Sequence, residues 1–209
     1  MVSVRRIAAL LGPALLAGCA TTQVNVQWTE PEFKGRSLRG EKVLVVCDAP
    51  DVATQRVCQE QVAARIAAAG ATPVISQNAG LTAGPPPTND ATLVAARGAG
   101  AKAIFGIIVG ADVTVVNPGP SIGIGVGGFG GSGGYRGGTV TGGSVGIGFP
   151  IGGGQATTGY AANMVLTDAA TVKLMWSSKV TTPASSNVAA QMGELARVGV
   201  EAARGAGFF

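Results

Sequence analysis

Cys19 is the side chain best placed to be modified covalently. It closes the tetrad Leu16-Ala17-Gly18-Cys19, a lipobox, behind Arg5, Arg6 and an apolar run over residues 7–17 broken only by Gly12 and Pro13. A basic start, a short apolar stretch and small residues before a cleavage point are the layout of a secretory signal. The run falls well short of the about 20 apolar residues that span a bilayer. It predicts a removed signal over 1–18 and a mature amino terminus at Cys19, with a thioether-linked diacylglycerol on sulfur and an acyl chain of the palmitate type on the freed amine. Three chains exceed the two signals needed for stable anchoring, since each buried methylene contributes about 0.8 kcal/mol.

Two further thiols, Cys47 and Cys58, belong to a chain read as exported to an oxidising compartment, where paired thiols become structural. The expectation is a Cys47–Cys58 disulfide, worth about 2–3 kcal/mol through the unfolded state for so short a loop. Two buried free cysteines acting as small apolar residues are the alternative. The chain contains no histidine, which removes Ser-His-Asp and Cys-His catalysis, histidine zinc sites and the usual general base near neutral pH. Asp48 and Asp51 follow the first central strand, where α/β sheets place ligands, but a turn and a helix cap account for both. Asp112 marks where its strand reaches water, and Trp176 reads as a sheet anchor. The run Gly123-Ile124-Gly125-Val126-Gly127-Gly128 fits G-x-G-x-x-G, a pattern with meaning only ahead of a helix amino terminus; no helix is expected to follow. No catalytic residue, metal ligand or cofactor is assigned, and the chain is read as a non-enzyme.

The formal charge of +4 falls to +2 once Arg5 and Arg6 leave with the signal. Lys34, Arg36, Arg39 and Lys42 stand singly with few aromatics between them. Neither a phosphate track nor a base-stacking platform can be drawn from them, so nucleic acid is not an expected partner. A solvated surface is the reading.

The elements that position these residues follow from apolar spacing. Val24, Val26 and Trp28 alternate with polar residues as a half-buried strand, and residues 42–47 form a continuous apolar run, the mark of a strand covered on both faces. Cys58, Val62, Ile66 and Ala69 recur at helical spacing up to Gly70. A second strand covers 72–76. A short helix over 90–97 follows, capped by Thr88 or Asn89, with Leu93, Val94 and Ala96 as its apolar positions. A third buried strand covers 103–109, extended by the alternation of Val113 and Val115. Strand, helix, strand, helix, strand is an α/β unit with parallel pairing. Tyr160 to Leu166 alternate up to a turn at 168–171, after which Val172, Leu174 and Trp176 alternate as the return strand of a hairpin. Ser185 or Ser186 caps a last helix carrying Val188, Met192, Leu195, Val198 and Ala202, and Phe208 and Phe209 pack back on the domain.

Between these parts, residues 117–155 hold 18 of the 34 glycines, too glycine-rich to build a core alone. Ile122, Ile124 and Val126, and then Val145, Ile147 and Phe149, alternate with glycines at strand period. They describe either a hairpin arm with one apolar face, able to contact a partner or a membrane, or a disordered insertion. The organisation is therefore a signal (1–18), a lipidated tether and edge strand (19–41), an α/β half (42–116), the glycine-rich insertion (117–155), and a hairpin and helix completing the same domain (156–209). The fold class is α/β, with α+β as the alternative: a small mixed sheet with flanking helices.

The lipobox, the strand opening at Val43, the glycine-rich interruption, and the stretch Leu166-Thr167-Asp168 through Leu174-Met175-Trp176-Ser177 ahead of a terminal helix resemble small proteobacterial outer-membrane lipoproteins of unknown function. Their α/β domain is similar to that of the curli-secretion lipoprotein and the amino-terminal domain of TolB. Ala20 in place of aspartate after the cysteine resembles lipoproteins passed to the outer membrane. The resemblance implies a non-catalytic protein anchored there by lipid and facing the periplasm, which binds an envelope protein or associates with itself. An oligomeric secretion or pore component is the alternative it implies.

Overall fold

The computed structural model describes residues 21–81, 90–117, 121–123, 148–150 and 155–209. Among the described residues eight strands and three α-helices follow one another. They are β1 (Gln23–Thr29), β2 (Lys42–Asp48), α1 (Val52–Ala68), β3 (Thr72–Ile75), α2 (Asp90–Gly98), β4 (Ala103–Asn117), β5 (Ser121–Gly123), β6 (Gly148–Pro150), β7 (Gln155–Asp168), β8 (Leu174–Thr181) and α3 (Val188–Gly205).

Six strands form one mixed sheet in the order β1-β8-β7-β4-β2-β3. The β2–β3 and β2–β4 pairs are parallel, whereas β4–β7, β7–β8 and β1–β8 are antiparallel. The fold is therefore α/β, with a parallel half next to a meander. The two periodicities of β2 explain its central role. Val43, Val45 and Cys47 face the larger core under α1 and α3, while Leu44 and Val46 join Leu93, Ala96 and Ile104 under α2. Both faces being buried, the strand reads as unbroken hydrophobe. The larger core holds Trp176 stacked on Phe105, ring centroids 6.0 Å apart, with the Phe209 ring tilted against Phe105 at 6.3 Å. Gly199 lets α3 sit close to the sheet, because a Cβ there would collide with the Met164 thioether.

Several expectations need correction. β1 forms where the alternation places it, yet Val24, Val26 and Trp28 are 38%, 61% and 46% exposed. α2 is short and covers only the β2 side of its face, so Val26 and Trp28 border an open groove with Asn163, Val165, Ser177 and Lys179. On α2 itself Leu93 and Ala96 are buried, but Val94 points to solvent and Thr92 takes the inward place. Val172 lies outside β8, in the turn, at a left-handed φ of 63°. The register then shifts between Leu166 and Thr167, which pair with Trp176 and Leu174, so that Met175 is an extra, buried residue. The cap of α3 is Asn187, whose side chain accepts from the Ala190 amide at 3.0 Å. Ser185 accepts instead from the Asn187 amide. The inward stripe of α3 is Met192, Leu195, Ala196, Gly199, Val200 and Ala203, with Val198 and Ala202 at its margin. The cap expected at Thr88 or Asn89 lies outside the described residues.

Candidate functional site

The sheet has two unlike ends. The starts of β2, β3, β4 and β8 and the ends of β1 and β7 share one end, since Lys42 pairs with Thr72, Val43 with Ala103, Ala103 with Asp168 and Thr29 with Trp176. Short loops close this turn end. The chain leaves the domain at the opposite, exit end. There Gln23 pairs with Thr181, Thr181 with Ala161, and Ala161 with Gly110, which puts these four residues in one row. The residues between Cys19 and Gln23 span at most about 14 Å. From the same row the β4–β7 ladder continues to Asn117↔Gln155, a two-stranded stem about 23 Å long at the usual rise per residue. The lipidation candidate and the glycine-rich insertion therefore leave the domain at the same end.

The lipobox and Cys19 lie outside the described residues, as do Ile124, Val126, Val145 and Ile147. Ile122 and Phe149 face each other as backbone partners in the antiparallel β5–β6 pair. Cys47 and Cys58 form a disulfide with Cα atoms 6.2 Å apart, joining the end of β2 to the core-facing side of α1. Gln55 supports this junction by donating to the Cys47 carbonyl at 2.8 Å.

Of the carboxylates considered for chemistry, Asp51 is held by structural partners. Asp51 caps α1, accepting from the Thr54 amide at 2.9 Å and its hydroxyl at 2.7 Å. These hydrogen bonds hold its carboxyl below the ordinary value. Asp48 is half-buried at the end of β2, and Asp112 is exposed beside the irregularity between Ala111 and Val113. Trp176 is fully buried. Among the described residues no group of three or more His, Cys, Asp or Glu could hold a metal ion, and no helix is long and apolar enough to cross a membrane.

The turn end holds what sequence reasoning missed. Asp168 is buried at the end of β7; its Oδ1 accepts from the Ala170 amide and from the Thr171 amide and hydroxyl, while Oδ2 meets Arg36 Nη2 at 2.6 Å. Burial pushes its carboxyl up, but the Thr171 hydrogen bonds, the Arg36 charge and the Ala170 amide outweigh that and hold it below the ordinary value. Arg97 donates to the carbonyls of Ala169 and Ala170. Arg36, Arg97 and Lys102 thus surround a cleft of about 530 Å3 floored by residues 168–170. A smaller cleft of about 180 Å3 lies between α1 and α3, lined by Arg65, Arg197, Glu201 and Arg204. Each helix ends here with an arginine in its last turn, Arg65, Arg97 and Arg204. That helix-end signal was readable in the sequence; the convergence of the three ends was not.

No protein-family model and no curated protein sequence matches the chain. Among solved structures it is similar to the PelC dodecamer from Paraburkholderia phytofirmans, with a TM-score of 0.48 and 12% identity over 84% of this chain and 92% of the other. It is also similar to lipoprotein GNA1162 from Neisseria meningitidis, with a TM-score of 0.41 and 17% identity over 79% and 99%. Both likenesses are distant.

Proposed function

We propose that the chain is a non-catalytic lipoprotein of the outer membrane, tethered through Cys19 with its domain in the periplasm, where it serves as a binding or structural component of the envelope. The shared exit of tether and stem carries this reading. With only a few residues between Cys19 and Gln23, a lipid on Cys19 holds the exit end against the bilayer and leaves the turn end in the aqueous space. The Cys47–Cys58 disulfide fits an oxidising compartment. The absence of histidine from the whole chain and the structural roles of Asp51 and Asp168 support a role without catalysis.

A second reading is an oligomeric secretion or pore component that uses the arm. The antiparallel pairing of Ile122 with Phe149 favours it, as the start of a hairpin on the membrane side. Light scattering on the full-length lipidated protein in mild detergent, with the detergent contribution subtracted, separates the two. A monomer or dimer supports the tethered binding domain. A closed ring of many subunits overturns it in favour of the second reading, and makes Ile122, Ile124, Val126, Val145, Ile147 and Phe149 the residues to mutate.

A further inference from the structure

The mature chain is nearly neutral, yet its charges are sorted by end. Nine of the twelve described lysines and arginines stand at the turn end. Three are Arg65, Arg97 and Arg204, and six come from the loops and strand starts: Lys34, Arg36, Arg39, Lys42, Lys102 and Lys173. Against them stand Glu30, Glu32, Glu41, Glu201 and the buried Asp168. The exit end has the opposite sign, with Asp48, Asp51, Asp90 and Asp112 against Arg56 and Lys179.

Helix dipoles account for part of this. Three carboxyl-terminal helix ends present roughly half a negative charge each, which the three arginines offset. The loop cations are in excess of that requirement. Arg36 is paired with Asp168 and Lys173 with Glu32. Lys34, Arg39 and Lys102, like Arg204, are exposed and form no ion pair among the described residues.

These cations also lie along a path. Lys42 donates to the Ala99 carbonyl at the rim of the cleft holding Arg36, Arg97 and Lys102. The Gly40 amide donates to the Gly70 carbonyl, which brings the loop carrying Arg39 to the rim of the cleft holding Arg65 and Arg204. The two clefts are thus joined across the sheet end by Lys42 and Arg39. Neither cleft is lined by an aromatic side chain; Phe33, Phe208 and Phe209 are buried, and the half-exposed Trp28 stands in the separate groove with Val26 and Lys179. Among the described residues the track itself therefore lacks the exposed aromatic anchors that dominate protein interfaces and the stacking platforms of nucleic-acid binders. A cationic track without anchors fits a ligand that brings repeated charge and little ordering cost, as a stiff chain does.

We propose that the turn end is a binding surface for a linear acidic glycan, laid across Lys102, Lys42, Arg39 and Arg65. The proposal deepens the tethered binding-component reading by naming the partner's chemistry, and it rests on that reading for the direction in which this end points.

The test uses full-length lipidated protein in non-ionic detergent, so that anchoring and oligomeric state are read separately from binding. Polygalacturonate is the probe, with dextran as the neutral glycan and polyglutamate as the flexible acidic chain. The expected result is binding of polygalacturonate more tightly than polyglutamate and no binding of dextran. Affinity should fall about tenfold or more on raising salt from about 50 to 500 mM, as screening shortens the reach of exposed charges. Arg39→Glu/Lys102→Glu should weaken binding about tenfold. Arg56→Glu/Lys179→Glu, which changes net charge equally at the other end, should leave it within about twofold, as expected if position rather than net charge decides. Arg39→Gln/Lys102→Gln, a milder change, gives an intermediate loss if the double Glu variant does not fold. Equal losses in the two Glu variants, no binding of polygalacturonate by the wild type, or polyglutamate bound as well or better, would each overturn the proposal.

Discussion

At one end of the sheet the chain turns back in short, tightly bonded loops; at the other it leaves the domain, first toward Cys19 and then through the β4–β7 stem. The turn end is closed by tertiary contacts. The Leu38 amide donates to the Phe208 carbonyl at 2.7 Å, Phe208 and Phe209 are buried, and Asp168 gathers the turn after β7. The exit end is closed by local devices instead, the Asp51 and Asn187 caps and the disulfide between β2 and α1. The same strands thus support a cationic platform at one end and the departure of the amino-terminal segment and the β4–β7 stem at the other. The difference shows how a nearly neutral domain can be strongly polar along its strand axis, because parallel strands and their helices deliver all helix carboxyl termini to one pole.

The largest effect that would sharpen this contrast is at Cys19. Cys19→Ser, expressed behind a signal that is cleaved without lipidation, should move the protein out of the membrane fraction while the unfolding midpoint of the domain stays the same; processed protein that remains with the membrane would assign anchoring to the stem and arm. Next comes the turn end's core. Phe208→Ala should cost about 3–5 kcal/mol in denaturant unfolding, as for other buried aromatic truncations, whereas a loss below about 1 kcal/mol would show that the carboxyl terminus does not close this end. Removing the disulfide with Cys47→Ala/Cys58→Ala should cost about 2–3 kcal/mol and leave membrane attachment intact.

Asp168→Asn should have a smaller effect, about 1–3 kcal/mol at neutral pH, from hydrogen bonds weakened at a buried acceptor. Its pH dependence is the sharper readout. Because the folded carboxyl titrates below its ordinary value of 3.8, its contribution is complete above that value and is lost as pH falls through the folded pKa. The variant should therefore show a flatter decline in stability below about pH 4 than the wild type. An unchanged acid limb would mean that Asp168 does not hold the turn end together.

Much of the fold was legible because apolar spacing reports which residues share a face. The run at 42–47, the stripe Cys58, Val62 and Ile66, and the alternation through Ala162, Met164 and Leu166 each name an element whose inward side is filled. Spacing does not report whether a face is covered. Val26 and Trp28 therefore read like core although α2 stops short of them. Nor does it register an irregular pairing: one extra residue at Met175 puts Leu174 out of phase with Trp176 and moves Val172 into the turn. Cys47 and Cys58 were legible from compartment and chain order. The basic end was not, since Lys34, Arg39, Arg65, Lys102 and Arg204 belong to separate segments that only the strand order brings together.

Hydrogen exchange on the lipidated protein, compared between detergent micelles and bilayer nanodiscs, tests most directly whether the exit end faces the membrane. The account predicts added protection in nanodiscs along the stem, residues 111–117 and 155–159, with residues 34–42 and 97–102 unchanged. Protection at the turn-end loops with none along the stem would contradict it.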